Sequence, residues 1–234
     1  MKLKLFFILS LGLFFFTSCQ KAIYNEREKA LFMAPYYGQD VVLDSISTIK
    51  ELTDYFDKIY CESKTADKWP VLYFDLKKKE LVNPSEGKNI LAMGIEPSPC
   101  GDIELEYDFT RILEIVKDGY NIEVEGIRIE PNELSKYIAL QYLNYGQDAK
   151  YSPNPRHNGI WLISDKDDRL KNLNKYIAQI IDGYVKMADQ YAEINYEKSL
   201  NELSNTEFAE LKKDLSFHLS FKYTEKQPEI RVGY

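Results

Sequence analysis

Two histidines and three cysteines are the whole stock of imidazole and thiol in these 234 residues. His157 stands in a polar loop, Pro155-Arg156-His157-Asn158, and His218 on a strand-like run. No HExxH word pairs them, and no G-x-S-x-G elbow marks a nucleophile for Ser-His-Asp or Cys-His chemistry. Gly87-Lys88 lacks the upstream glycine of a phosphate loop, because Val82 stands in its place. Asp165-Lys166-Asp167-Asp168 gathers carboxylates, but Arg169 and Leu170 follow where Ca²⁺ would need a further ligand and a turn glycine. These acids are expected to cap a helix instead. Neither catalysis, nor a metal, nor a cofactor is expected. A second use of chemistry-bearing side chains is stacking: Trp69, Trp161, Tyr36-Tyr37, Tyr142 and Tyr145 could form an aromatic platform for a glycan, or could be core.

Cys19 belongs to a different pattern. Met1-Lys2-Leu3-Lys4, an apolar run to Phe16, and Thr17-Ser18-Cys19 make a basic start, an apolar stretch and small residues before a cleavage point, which is the layout of an export signal. The run is shorter than the roughly 20 apolar residues that a spanning helix needs. Phe16-Thr17-Ser18-Cys19 resembles the lipobox of bacterial lipoproteins, with Phe16 where Leu is usual. The resemblance implies cleavage after residue 18 and a lipid on Cys19, so that the mature chain is anchored to a membrane rather than spanning it. Gln20 gives no Asp-type retention signal, which directs the expectation to the outer membrane rather than the inner, facing the periplasm or the surface. Cys61 and Cys100 remain in an oxidising compartment. They either form a disulfide, worth roughly 3–4 kcal/mol for a loop of about forty residues, or stand as separate buried thiols.

Charge and composition narrow the partners. The chain carries 30 Lys and Arg against 37 Asp and Glu, and loss of Lys2 and Lys4 with the leader leaves 28 basic residues and a net of −9. Such acidity excludes nucleic acid as a partner and argues against adsorption on anionic lipid as the docking mode. With 44% hydrophobic residues and a mean hydropathy of −0.41, the chain is globular and able to bury a sizeable core.

The elements that must position these residues read as an α+β fold: small mixed sheets packed against helices, then one long C-terminal helix, a short helix and a final strand. Residues 19–40 read as a tether, 41–118 as a first α+β unit and 119–234 as a second. Val41 to Leu43 predict a short strand. Ile49, Leu52, Phe56 and Ile59 are spaced for one helix face, and Val71 to Phe74 for a strand. Ile103 to Tyr107 and a segment around Thr110 to Val116 are the next elements. Ile122, Val124, Ile127 and Ile129, broken by Gly126, predict a hairpin. Pro131 opens a helix through Tyr142, and Ile160 to Ile163 predict a buried strand. Leu170, Leu173, Ile177, Ile180, Tyr184, Met187, Tyr191 and Ile194 then alternate steps of three and four along one seam of a long helix. That seam either lies across the protein's own sheet or pairs with a partner or a second copy. Ser204 to Glu207 is a capping box, and Phe217, Leu219, Phe221 and Tyr223 alternate as a last strand.

From Tyr120 to about Pro228, the order of local words resembles the periplasmic part of ExbD/TolR-type biopolymer transport proteins, in the longer form of Bacteroidetes-type bacteria. The words are Ile122-Glu123-Val124-Glu125-Gly126 before Glu133-Leu134, then Ile163-Ser164 and Asp168-Arg169. Tyr176, Gly183-Tyr184 and Tyr191-Ala192 follow on the long helix, then Leu203 with Glu207, and Pro228-Glu229 after the strand. The resemblance implies an accessory component of envelope energy transduction or biopolymer transport that acts by protein–protein contact, without catalysis. Residues 1–39 contain no Asp, so the family's proton-carrying aspartate has no counterpart here, and the Thr-Ser-Tyr word after Asp168-Arg169 is replaced by Leu170-Lys171-Asn172. The alternative expectation is an outer-membrane lipoprotein that binds a glycan or another ligand through exposed aromatics.

Overall fold

The structure, a computed structural model, describes residues 23–33, 38–62, 69–96, 111–156 and 158–224. The expected export segment with Cys19, the Tyr36-Tyr37 pair, Cys100, the element expected at 103–107, His157 and the end at Pro228 lie outside them.

Residues read from sequence as tether are built into the fold. Asn25 caps a short helix, α1 (Glu26–Ala30), in a reciprocal box with Glu28. Arg27 then reaches the Leu203 carbonyl and Asn205 Oδ1, and Leu31 and Phe32 enter the core at 2% and 1% exposure. Most of the expected tether is therefore part of the fold. The apolar pair makes the difference: burying it outweighs the ordering of a few polar residues.

The first sheet is built on β2 (Trp69–Asp75), whose alternate residues are buried. β4 (Ile90–Gly94) runs antiparallel along one edge. The other edge is shared by β1 (Gly38–Asp40), parallel, and β3 (Glu80–Val82), antiparallel. The strand expected at 41–43 thus lies three residues earlier, although the Val41 N–H still donates to the Val71 carbonyl. Between β1 and β2 runs α2 (Ile49–Glu62), which buries Ile49, Leu52, Phe56 and Ile59 as their spacing requires.

The second sheet has the order β7-β6-β5-β8-β9. β5 (Arg111–Asp118), β8 (Asn158–Asp165) and β9 (Leu219–Thr224) are parallel, while β6 (Asn121–Val124) and β7 (Ile127–Ile129) are antiparallel additions. The β6–β7 turn places Glu125 and Gly126 at φ 51° and 74°, the two positive values that a tight type I′ hairpin needs. A 3₁₀ turn at Pro131–Glu133 leads into α3 (Leu134–Leu143), and the chain returns from β8 to β9 through α4 (Leu170–Tyr196) and α5 (Asn205–Asp214). No helix among the described residues is long and apolar enough to cross a membrane.

One core runs through both sheets. Backbone bonds stitch them: Glu96 N–H donates to the Leu219 carbonyl, Ile49 N–H to that of Asp168, and Leu170 N–H to that of Ser47. The sequence-based boundary at 118/119 falls in the turn between the paired strands β5 and β6. The class, α+β with a long helix and a final strand, is as the sequence indicated.

Candidate functional site

A broad cleft lies where the parallel strands β5 and β8 end and α4 begins, the place at which open sheets with crossover helices usually bind ligands. Three local sequences build it.

The first is the β2–β3 turn. Asp75 accepts hydrogen bonds from the Lys77 and Lys78 N–H groups, both at 2.9 Å, and Leu76 is buried beneath. Lys79 takes the left-handed conformation at φ 56°, so a run of three lysines is held outward on a short turn. The second is the β5–β6 turn, where Gly119 has φ 59° and Tyr120 is 94% exposed. The third is the first two turns of α4, with Lys171, Asn172, Asn174 and Lys175. Asn174 Oδ1 accepts the Leu81 N–H at 3.2 Å, tying β3 to α4 and fixing the two walls. The cleft between them measures about 810 Å³.

Its floor is an ion pair. Along β5, Leu113, Ile115 and Lys117 share the inward face, and along β8 Ile160, Leu162 and Ser164 do so. Lys117, its side chain 5% exposed, and Ser164 both donate to Asp168 Oδ2. Partial burial raises the Asp168 carboxyl. The hydrogen bonds from Lys117 and Ser164, with the charge of Lys117, outweigh that effect and hold it below the usual carboxylate range. Asp168 is thereby committed to this ion pair just ahead of α4, and the residue before the helix, Arg169, makes no side-chain cap. A buried ammonium left without a counter-charge would cost more than a helix cap contributes.

Five lysines and two carboxylates line this cleft in a chain of net charge −7. Lys117 is matched by Asp168, and Lys78 lies 3.6 Å from Glu80. Lys79, Lys171 and Lys175 have no carboxylate partner among the described residues, though Lys175 Nζ sits 4.6 Å from the centre of the Tyr176 ring. Such a surface can hold phosphate or carboxylate oxygens. Lys77-Lys78-Lys79 after a turn-forming Asp75, and Lys117 in register with Leu113 and Ile115, were legible in the sequence and could have revealed it.

The residues singled out from sequence fall elsewhere. Leu170, Leu173, Ile177, Ile180, Tyr184, Met187 and Tyr191 are buried in the protein's own core, which corrects the reading of that seam as a partner surface; only Ile194 is exposed. Cys61 is disulfide-bonded, its partner lying outside the described residues. His218 precedes β9, with Nδ1 3.6 Å from Glu96 and its ring against Trp69, and burial pushes its imidazole down to about 4. Of the stacking candidates, Tyr142 is fully buried against Tyr184, Trp161 lies half-buried under Lys222, and Tyr145 is exposed. No group of three or more His, Cys, Asp or Glu that could hold a metal occurs among the described residues. No family model, no curated protein and no solved structure matches this chain.

Proposed function

We propose that this chain is a non-enzymatic cell-envelope protein, tethered through a lipid on Cys19, that acts by protein–protein contact as an accessory of envelope energy transduction or biopolymer transport, in the manner of the periplasmic part of ExbD/TolR-type proteins. The observation that carries this reading is the run of elements from β6 to β9. The apolar-x-apolar word lies on β6 and its turn, Glu133-Leu134 at the start of α3, and Ile163-Ser164 near the end of β8. Asp168-Arg169 leads into α4, and the Ser204–Glu207 cap starts α5 ahead of the last strand. Docking of residues 24–32 on the fold adds support, since it holds the domain close to any anchor at Cys19.

The test is intact mass of the membrane-extracted protein beside a Cys19→Ala variant, followed by crosslinking in the native envelope. A cleaved, acylated chain crosslinked to a membrane protein is the expected result. An acylated chain that stays monomeric and crosslinks to nothing removes the contact role, and an uncleaved Met1 chain removes the lipid tether.

A further inference from the structure

We propose that the lysine-lined face at the start of α4 docks on the anionic headgroups of the leaflet that carries the anchor, so that the domain rides the membrane in one orientation. The inference rests on the acylation of Cys19 proposed above.

Chain length sets the geometry. The Ile23 N–H donates to Asn89 Oδ1 at 3.3 Å, and the Tyr24 hydroxyl donates to Asp182 on α4. Burial, and then that bond to Asp182, push the Tyr24 phenol far above its ordinary value. Cys19 precedes Ile23 by four residues, and four residues fully extended span about 14 Å at most. A lipid on Cys19 therefore holds the surface around Ile23 against the headgroups.

That surface adjoins the lysine cleft. Lys79 lines both the small cavity walled in part by Ile23 and Tyr24 and the large cleft with Lys171 and Lys175. The uncompensated ammonium groups thus lie beside the anchor. Around them stand Tyr120 at the tip of its turn and Ile23, 49% exposed, side chains suited to the boundary between headgroup and acyl chain. The rest of the molecule carries the acidic excess, and an anionic leaflet repels it. Each lysine at such a leaflet favours association about fivefold. This attraction fades within a Debye length of about 8 Å, so it acts only if the tether is as short as the docked Ile23 makes it. The net charge of the whole chain argued against anionic lipid; its distribution reverses that argument for one face.

The experiment uses the lipidated protein, its acyl mass confirmed, in phosphatidylcholine vesicles with and without phosphatidylglycerol. Lysines are acetylated and the rates read by mass spectrometry, with Lys136 and Lys186, exposed beside the groove between α3 and α4, as references. Lys79, Lys171 and Lys175 are expected to react several-fold more slowly than the references in the anionic vesicles only. That protection should vanish in high salt and when two of the three lysines are changed to Glu and the third is followed. Equal rates in both vesicles would overturn the inference while leaving the anchor intact. Equal protection by inorganic phosphate over neutral vesicles would also overturn it, in favour of a free-anion site. A chain without the acyl mass fails the tether and this inference together.

Discussion

At the scale of single residues, the floor of the cleft makes the sharpest claim. Lys117 is buried and charged, and Asp168 is the group that permits it. Asp168→Asn leaves that ammonium without its counter-charge and should cost about 3 kcal/mol, the range for breaking a buried pair from one side. Lys117→Met with Asp168→Asn removes the stranded charge as well, so the double variant should be more stable than Asp168→Asn alone, as read by urea unfolding. A double variant that is no better than the single would show that the stranded Lys117 charge is not what the single variant loses stability to. The pH dependence follows from the direction of its shift. A carboxyl held below its ordinary value contributes stability that is complete above that value and is lost as pH falls through the folded one. The gap between wild type and Asp168→Asn should therefore be full at pH 7 and close only in strong acid.

At the scale of elements, local patterns were readable wherever one face is buried and the other wet. Ile122, Val124, Ile127 and Ile129 with Gly126 gave the hairpin, and the three-and-four spacing from Leu170 gave α4 to within two residues of its end. Failures came where the deciding term is not periodic. Residues 24–32 read as a tether because α1 is only five residues long, yet Asn25 and Glu28 stood three apart as a capping box, and Leu31-Phe32 supplied the apolar anchor. Periodicity showed the seam's face but not what covers it, because self-packing and partner-packing write the same pattern. Gly183 is the clearest case. Read locally, it weakens a helix by about 1 kcal/mol relative to Ala and suggests a bend. In the fold it is where α3 crosses α4: a Cβ there would lie 2.9 Å from Ser135 Cα and 2.8 Å from Ile138 Cδ1. Backbone cannot step aside as a side-chain tip can, so overpacking, at about 1–3 kcal/mol, should exceed the gain in propensity. Gly183→Ala is expected to lower the urea midpoint; a higher midpoint would mean that the helices part without cost.

For the whole molecule, the issue is whether two sheets make two units. The sequence reading divides the chain at 118/119, yet Gly119 between two strand-like runs is itself a local hairpin signal for β5 and β6, and nothing local indicates that β5 also pairs with β8. Long-range pairing of this kind is set by how apolar faces close over one another, which a single sequence does not display. The bonds between Glu96 and Leu219, Ile49 and Asp168, and Leu170 and Ser47 join the two sheets along a shared core, so opening one exposes the buried face of the other. Each sheet carries one tryptophan, Trp69 on β2 and Trp161 on β8. Trp69→Phe and Trp161→Phe therefore leave single reporters on opposite sides of the expected boundary. If the core is shared, the two fluorescence transitions and the loss of helix by circular dichroism should coincide in urea. Chains beyond about 150 residues often populate intermediates, which makes coincidence informative. Transitions that separate, with Trp161 surviving Trp69, would mean that β5 to β9 with α3 to α5 stand alone, and the N-terminal sheet would then be an addition to a self-sufficient second unit.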